Sequence, residues 1–290
     1  MMIHHYTSVK NLSLILKNRT LRFGRADQLD DPSEVPFRTD RLGPHRFFVS
    51  SWCQGLRGEA GLWHRYADRD HGVRLSLPRM PFDWTRYAVE FSRMCNIHGH
   101  MKKIGVKILD VVMPFGEETL FGNGYMVTPT WTDLPNAFGA PVIYVDDPIT
   151  EAAKTVVVDG ERLTIHGDSN RLARVKGLAW SDQDEYRFVL SAIGGPKLDY
   201  AEDPARYREA MMDIMESGAK IGFDKFHPDV PAIFVPFGAN AFVGMTVTLG
   251  PQISTEDRIM VTQLVHDLAP SASVVESKLR TRIRPSGVTS

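Results

Sequence analysis

The chain of 290 residues is 43% hydrophobic, so it can bury a large core, either as one elaborated domain or as a core with insertions. Its 34 basic and 35 acidic residues give a net charge of −1, which argues against a general electrostatic affinity for nucleic acid or anionic membranes and leaves only a local basic groove open. The two cysteines, Cys53 and Cys95, argue against a disulfide framework and a structural zinc site.

The beginning of the chain has no basic stretch that leads into a long apolar run. No segment approaches the roughly 20 consecutive apolar residues of a membrane span. We therefore expect a cytoplasmic protein that is not exported and has no membrane partner.

The N-terminal residues predict a short strand that leads into a helix. Apolar residues recur at near-helical spacing from Val9 to Lys17, and Thr7 or Ser8 is a suitable N-cap. His5 and Thr7 then lie at the end of a strand, where polar side chains bind a ligand as often as they cap the helix. His4 competes with His5 for the same role.

An aromatic pair follows in the middle of the first hundred residues. Trp63 and Tyr66 are three residues apart on a predicted helical turn, so both rings can cover the same surface. Such rings could stack on a nicotinamide or adenine ring. In the alternative interpretation they are core residues, and for Trp63 taken alone we favour that interpretation.

Residues 80 to 150 are interpreted as an insertion, and the segment from Phe121 to Asp147, rich in proline, glycine and asparagine, as a long loop over a sheet. Within this insertion, His98 and His100 could bind a metal. With only Cys95 nearby and no acidic partner at helical spacing, a polar loop is the favoured interpretation.

Gln183 and Glu185 occur two residues apart where an apolar strand is predicted to begin. A strand projects residues i and i+2 from one face, so the amide and the carboxylate are expected to point into one site. This pair suits an enzyme that handles a sugar. In the alternative interpretation, Glu185 and Arg187 form an ion pair on the surface of an edge strand, which contributes little energy.

The other periodic segments do not alternate regularly between strand and helix, which disfavours a doubly wound parallel sheet and favours an α+β domain over residues 1–280. We expect residues 281–290 to fray. The predicted strands are 46–52, 72–77, 142–145, 155–158, 186–190, 232–235 and 243–249, and the predicted helices are 9–17, 205–216 and 255–268.

A series of short motifs extends over most of the chain: His5-Tyr6-Thr7, Leu21-Arg22-Phe23, Asp31-Pro32-Ser33-Glu34, Leu62-Trp63, Tyr66-Ala67-Asp68, Gly72-Val73, Lys176, Trp180, Glu185-Tyr186-Arg187, Leu249-Gly250-Pro251 and Glu276-Ser277-Lys278-Leu279. With these motifs in this order, the chain resembles a bacterial family known as domain of unknown function 2971. The family usually carries a glutamate at the position of Gln183.

A more distant resemblance supplies chemistry. A first strand with a histidine, an aromatic middle motif and a late motif of the form Gln/Glu-x-Glu resemble the ADP-ribosyltransferase superfamily, which cleaves NAD at the nicotinamide ribose bond. The resemblance implies a split, twisted, mostly antiparallel sheet with flanking helices. It also implies NAD as cosubstrate, no metal, and a macromolecular acceptor, protein or nucleic acid, in the setting of a bacterial toxin or antiphage effector.

The same resemblance implies roles for single residues. Glu185 would stabilise the oxocarbenium ion, and Gln183 would face the acceptor. His5 would bind a ribose of NAD, Thr7 would orient the carboxamide, and Tyr66 would stack on nicotinamide. Two alternatives stay open: a non-catalytic module that binds a nucleotide or a protein on the same scaffold, and an NAD glycohydrolase.

Other reaction classes find less support in the residues. Ser50 and Ser51 lack a Gly-x-Ser-x-Gly elbow, which argues against a serine hydrolase. No phosphate-binding loop and no dinucleotide-binding glycine motif is present. A metal-dependent nuclease would use Asp30, Asp31 and Glu34 with Glu185, but the proline turn after the two aspartates favours a structural role for them.

Overall fold

The computed structural model describes residues 1–29, 31, 34–37, 39, 42–128, 134–160 and 162–279. The predicted frayed tail, 281–290, lies outside the described residues. The helices are α1 (Val9–Asn18), α2 (Glu59–Tyr66), α3 (Glu117–Leu120), α4 (Leu134–Phe138), α5 (Pro148–Ala153), α6 (Pro204–Ile221) and α7 (Thr255–Leu268).

The strands are β1 (Met2–Thr7), β2 (Thr20–Arg25), β3 (Phe47–Cys53), β4 (Val73–Pro78), β5 (Thr85–Ile97), β6 (His100–Met113), β7 (Phe121–Gly122), β8 (Tyr125–Val127), β9 (Gly139–Pro141), β10 (Ile143–Val145), β11 (Val156–Asp159), β12 (Arg162–Ile165), β13 (Val175–Gly177), β14 (Glu185–Gly194), β15 (Ala232–Pro236), β16 (Thr246–Leu249) and β17 (Ser273–Glu276).

One 11-stranded sheet organises the molecule, with the strand order β17-β16-β4-β1-β3-β14-β8-β7. Strand β2 pairs with β3 and β15, and β9 pairs with β14. The strands of this sheet pair antiparallel except β16 and β17, which pair parallel. The fold is thus mixed α and β with twisted, open sheets, and the predicted α+β class is confirmed.

The sheet divides beside β3. Strand β1 pairs with β3 only at His4 and Cys53, the C-terminal end of β3. Strand β2 pairs with β3 further back, at Val49 and Phe48. Helix α1 connects the two diverging strands, so the middle of β3 faces a gap between β1 and β2.

Local sequence explains why α1 begins where it does. The Ser8 side chain accepts a hydrogen bond from the backbone N–H of Asn11, the arrangement of a serine N-cap. Leu12, Ile15 and Leu16 lie on the buried face of the helix. The expected strand followed by a helix at the N-terminus is therefore confirmed.

Strand β14 runs through the interior of the sheet. It pairs with β3 from Glu185 to Ser191 on one side and with β8 and β9 on the other. Residues from Glu185 to Leu190 are consequently all buried. The alternative interpretation that Glu185 and Arg187 lie on an exposed edge strand is wrong, because β14 has neighbours on both sides.

The region predicted as an insertion contains a long hairpin. Strands β5 and β6 form their own two-stranded sheet, and the turn between them has His98 and Gly99 in the left-handed region, with φ of 52° and 82°. The predicted loop from Phe121 to Asp147 is wrong in part, because β7–β10 and α4 lie within it. None of the helices in the described part of the chain is long and apolar enough to cross a membrane.

Candidate functional site

A cleft of about 780 Å³ opens at the gap in the sheet. Its walls come from α1, β1, β2, β3 and β14, together with residues around Tyr66 and Lys176. His5, Thr7, Tyr66, Gln183 and Glu185 all line it. The structure therefore brings together five of the six residues that the sequence indicated.

The two neighbouring histidines both line the cleft, in different environments. The Nδ1 atom of His5 lies 3.0 Å from the carbonyl oxygen of Ser51, and its ring lies 5.0 Å from that of Trp52. Because a carbonyl only accepts, His5 donates from Nδ1. His4 bonds the Ser76 hydroxyl at 2.8 Å.

Both histidines resist protonation. Burial, with a further contribution from the nearby Arg74, lowers the pKa of His4 to about 4. Burial also lowers the pKa of His5, against the opposing effect of its bond to Ser51. His5 is therefore neutral at pH 7, and its Nε2 atom carries a lone pair that can accept a hydrogen bond.

Gln183 and Glu185 reach the same cleft by a route that differs from the expected one. Gln183 ends a 3-10 helix, Leu178–Gln183, and Asp184 then adopts a left-handed conformation with φ of 43°. Glu185 begins β14. The expectation that both residues lie on one strand is wrong, and the turn at Asp184 is what directs both side chains to one site.

Four charged side chains form a buried ion cluster below the cleft: Glu34, Lys176, Glu185 and Arg187. Arg187 donates to both carboxylate oxygens of Glu34, at 2.5 and 2.7 Å, and to Glu185 at 3.0 Å. Lys176 lies 3.3 Å from Glu34 and 3.4 Å from Glu185. Two carboxylates thus balance two cations away from water, where an unpaired charge would be costly.

The opposite charges of the buried ion cluster keep Glu34 and Arg187 ionised. Burial disfavours the ionised form of Glu34, but the charges and hydrogen bonds of Arg187 and Lys176 outweigh burial and lower its pKa. Burial also opposes the charge on Arg187, and the two carboxylates outweigh it and raise the Arg187 pKa.

Gln183 connects the buried ion cluster to the rim of the cleft. Its Oε1 atom accepts from Lys176 at 3.1 Å, and its Nε2 atom donates to the Tyr66 hydroxyl at 3.0 Å. Only 2% of Gln183 is exposed, whereas Tyr66 is 42% exposed. Burial, with a further contribution from Glu185, raises the pKa of Tyr66, so this hydroxyl stays protonated at pH 7.

Trp63 lies elsewhere. It is fully buried, donates from its ring nitrogen to Glu59 at 3.1 Å and packs edge-on against Tyr6. The expectation that Trp63 and Tyr66 cover one surface is wrong, because α2 directs Trp63 into the core and Tyr66 toward the cleft. The interpretation of Trp63 as a core residue is correct.

The cleft also contains Cys53, one of the two cysteines. Burial, followed by the neighbouring Glu185 and Asp184, raises the pKa of its thiol to about 12. A thiol in this state is not an activated nucleophile at neutral pH. Covalent catalysis by Cys53 is therefore disfavoured.

Within the described residues, no group of three or more histidine, cysteine, aspartate or glutamate side chains is arranged to hold a metal ion. Glu34 and Glu185, two of the acids considered for such a site, both bind Arg187. Asp30 lies outside the described residues.

Sequence reasoning considered Glu34 beside Glu185 only as a metal ligand of a nuclease, and it identified neither Glu34 nor Lys176 as an ion-pair partner. For Lys176 the sequence shows only a lysine next to an apolar residue, and its burial on the short strand β13 is visible in the structure alone. The bond between Glu34 and Arg187 joins residues 153 positions apart, which a single sequence does not indicate.

Comparisons with protein-family models, with curated proteins and with solved structures found no match. The interpretation of the site therefore depends on its own residues.

Proposed function

We propose that the cleft binds NAD and that the protein transfers ADP-ribose to a macromolecular acceptor, on a sheet of the ADP-ribosyltransferase type. The observation that carries the proposal is the convergence of His5, Thr7, Tyr66, Gln183 and Glu185 on one cleft. Tyr66 and Gln183 are 117 positions apart in the chain and yet share a hydrogen bond. The cleft volume of about 780 Å³ suits a dinucleotide-sized ligand.

The division of the sheet supports the proposed type of fold. Strands β1 and β2 separate on either side of the middle of β3, and the cleft opens between them. A ligand in this gap would contact polar groups from β1 and from the start of β14 at once. The same division fits the split sheet that the resemblance implies.

The proposed reaction breaks the bond between C1′ of the ribose and the nicotinamide nitrogen. Nicotinamide leaves with the bonding electron pair, the acceptor atom forms a new bond to C1′, and the acceptor proton passes to water. Positive charge develops on the ribose in the transition state, and the Glu185 carboxylate would stabilise it. Arg187 and Lys176 hold that carboxylate in place, which limits its reorganisation during the reaction.

The remaining cleft residues would orient the dinucleotide. Neutral His5 would accept a hydrogen bond from a ribose hydroxyl at Nε2, while its Nδ1 atom stays bonded to Ser51. The exposed ring of Tyr66 would cover the cationic nicotinamide ring, a favourable arrangement for an aromatic face. Thr7 lines the same cleft and would orient the carboxamide.

The contacts of Gln183 support a positioning role. Its amide is bonded to Lys176 and Tyr66 and is almost completely buried, so it would reach an acceptor through Tyr66. Gln183→Ala should therefore depress transfer to the acceptor more than it depresses hydrolysis of NAD, because water needs no such positioning. Equal loss of both activities would assign Gln183 to support of the whole site.

The proposal is tested with Glu185→Gln, which keeps the shape of the side chain and removes its charge. We expect NAD binding to persist and nicotinamide release to fall by about a hundredfold or more, the scale of losing one charge-stabilising group. Glu34→Gln is the matched control, because it removes one negative charge from the same buried ion cluster. It should retain most of the turnover.

The outcomes separate catalysis from folding. Unfolding measurements on Glu185→Gln and Glu34→Gln give the change in stability that follows from disturbing the ion cluster. The rate of nicotinamide release gives the effect on the reaction itself. Equal turnover in Glu185→Gln and the unmodified protein would exclude a catalytic role for Glu185. Modified acceptor as product supports transfer, whereas free ADP-ribose alone would support an NAD glycohydrolase.

One observation favours a second candidate, a non-catalytic module that binds a nucleotide. Glu185 is only 7% exposed, and its carboxylate is bonded to Arg187 and Lys176. Such a carboxylate can serve folding alone. NAD binding without nicotinamide release, in the unmodified protein and with acceptors supplied, would favour this candidate.

A further inference from the structure

The outer part of the cleft contains an exposed cross-strand pair, Arg22 on β2 and Phe234 on β15. The two residues are opposite each other in the antiparallel register, so their side chains leave the sheet on the same face. Both line the cleft. Phe234 is 55% exposed, so the face of its ring is open to a ligand in the cleft.

The Arg22 guanidinium extends along β2 toward Gly24. Its terminal nitrogen is 3.0 Å from the position that a Cβ atom would take at Gly24, the next residue on that face. Gly24 also lines the cleft and leaves this space open. A side chain at position 24 would compete with the guanidinium for the same volume.

Arg22 is available for a ligand. Across the part of the chain that the structure describes, its side chain has no hydrogen bond and no ion pair. The other arginines and the lysine close to the cleft contrast with it: Arg187 and Lys176 are bonded in the buried ion cluster, and Arg65 is bonded to Asp182. A planar guanidinium with free donors suits a phosphate.

We propose that Arg22 and Phe234 form a subsite for the adenosine diphosphate half of NAD. Arg22 binds the pyrophosphate, and the Phe234 ring stacks on the adenine. This assignment rests on the proposed function, because NAD is the ligand of that function. It names the residues that bind the half of NAD that is remote from the reacting bond.

The spacing along the sheet fits one extended ligand. Gly24 pairs with Val49 on β3, and Glu185 pairs with Cys53 on the same strand, four residues further on. At the usual rise of a strand the two places are about 13 Å apart along β3, and because they lie on opposite sides of β3 they are also about 10 Å apart across the sheet. A dinucleotide can therefore contact Arg22 with its pyrophosphate while its nicotinamide ribose lies beside Glu185.

The test measures binding of ADP, which lacks the nicotinamide and its ribose, by calorimetry at low ionic strength. We expect Arg22→Ala to weaken ADP binding by about tenfold or more, the scale of a charge-assisted hydrogen bond to phosphate. Phe234→Leu keeps an apolar side chain and removes the ring, and should weaken ADP binding by about fivefold or more. Added salt should weaken ADP binding to the unmodified protein more than to Arg22→Ala.

Arg206→Ala is the matched control. Arg206 is an exposed arginine on α6 that does not line the cleft, so its loss lowers the net charge equally and should leave ADP binding unchanged. Because Arg22 and Phe234 are exposed, their variants should keep the unfolding midpoint of the unmodified protein.

Each result decides between the subsite and the function. ADP binding that is unchanged in Arg22→Ala and Phe234→Leu overturns the subsite and leaves NAD binding in the cleft intact. Binding of NAD without binding of ADP overturns the subsite as well, because Arg22 and Phe234 should hold ADP alone. Absence of binding for both ligands rejects the subsite together with the proposed function.

Discussion

Arg187 is the central residue of the buried ion cluster below the cleft. Only 1% of it is exposed, and it neutralises Glu34 and Glu185 while it also donates to the carbonyl of Ala173 at 2.8 Å. A buried ion pair adds little net stability when it forms, but loss of one member leaves the other charge unpaired inside the protein. The bonds from Arg187 to Glu185, at 3.0 and 3.3 Å, keep that carboxylate in position.

Arg187→Met should therefore lower the free energy of unfolding by about 3 to 5 kcal/mol. Urea denaturation with a comparison of midpoints at equal m-value measures the change. Lys197→Met is the control, because Lys197 pairs with Asp229 in an exposed ion pair and its loss should hardly move the unfolding midpoint. A cost for Arg187→Met no larger than for the control would contradict the buried cluster.

Protonation of His4 should make the protein less stable in acid. The folded state binds this proton with a pKa of about 4, and the unfolded chain with the ordinary value of 6.5. Between these values the unfolded state holds more protons, so the free energy of unfolding falls as the pH decreases from 6.5 to about 4. Glu34 adds a further loss of stability at lower pH. Its pKa is lowered in the folded state, so the stability that its ionised carboxylate contributes is lost as the pH falls below the ordinary value of 4.5.

His4→Asn should reduce the slope of stability against pH in that window. Urea denaturation at pH 7, 6 and 5 gives the slope directly. His98→Asn serves as the control, because His98 is exposed at the hairpin turn and asparagine tolerates its left-handed conformation. An unchanged slope in His4→Asn would mean that the acid sensitivity arises from other groups.

At the scale of elements, α1 is the helix that forms one wall of the cleft. Asn11, Leu14, Ile15 and Asn18 of this helix all line it. The helix is short, and its N-terminus is fixed by the Ser8 hydroxyl, which accepts from the N–H of Asn11 at 3.2 Å. Loss of the cap would free the first turn beside the cleft.

Ser8→Ala should lower the free energy of unfolding by about 1 kcal/mol and weaken binding in the cleft slightly, because the first turn of α1 becomes less ordered. Thermal and urea unfolding measure the stability change. Ser8→Asp should keep the stability close to that of the unmodified protein, since aspartate also caps a helix and favours its N-terminus. Equal loss in both variants would indicate a role of Ser8 other than capping.

Across the whole molecule, the cleft and the long hairpin are separate parts of one fold. The hairpin of β5 and β6 forms its own sheet and is tied to α6 by ion pairs from Arg93 to Asp213 and Glu216. Its buried residues near the base, such as Phe91, pack into the main core. Its distal part is exposed and lines no part of the cleft.

Replacing residues 93–104 with Asn-Gly joins Ser92 to its cross-strand partner Gly105 through a two-residue turn. We expect the free energy of unfolding to fall only slightly, because residues 93–104 are exposed or half-buried and none of them belongs to the main core. NAD binding should stay within about twofold. Calorimetry and urea denaturation test both statements, and a loss of cooperative unfolding would show that the distal hairpin supports the core.

The sequence by itself determined the features that depend on neighbours along the chain. Hydrophobic periodicity and an N-cap residue indicated α1, and the bounds 255–268 of α7 were predicted without error. The pairing of Gln183 with Glu185 at one site also followed from their closeness, although a turn and not a strand directs them. The two long strands β5 and β6 were not predicted from the sequence. Polar and apolar residues do not alternate regularly where this hairpin leaves the core.

Tertiary structure alone decided burial and charge pairing. Trp63 and Tyr66 are equivalent on a helical turn, and only the packing of α2 against Tyr6 makes one a core residue and the other a cleft residue. From the sequence alone, Arg187 is expected at the surface. In the structure β14 has a neighbouring strand on both sides, and Arg187 bonds Glu34, which is 153 positions away in the chain. Desolvation and ion pairing depend on which distant segments meet, and local spacing carries no information about that.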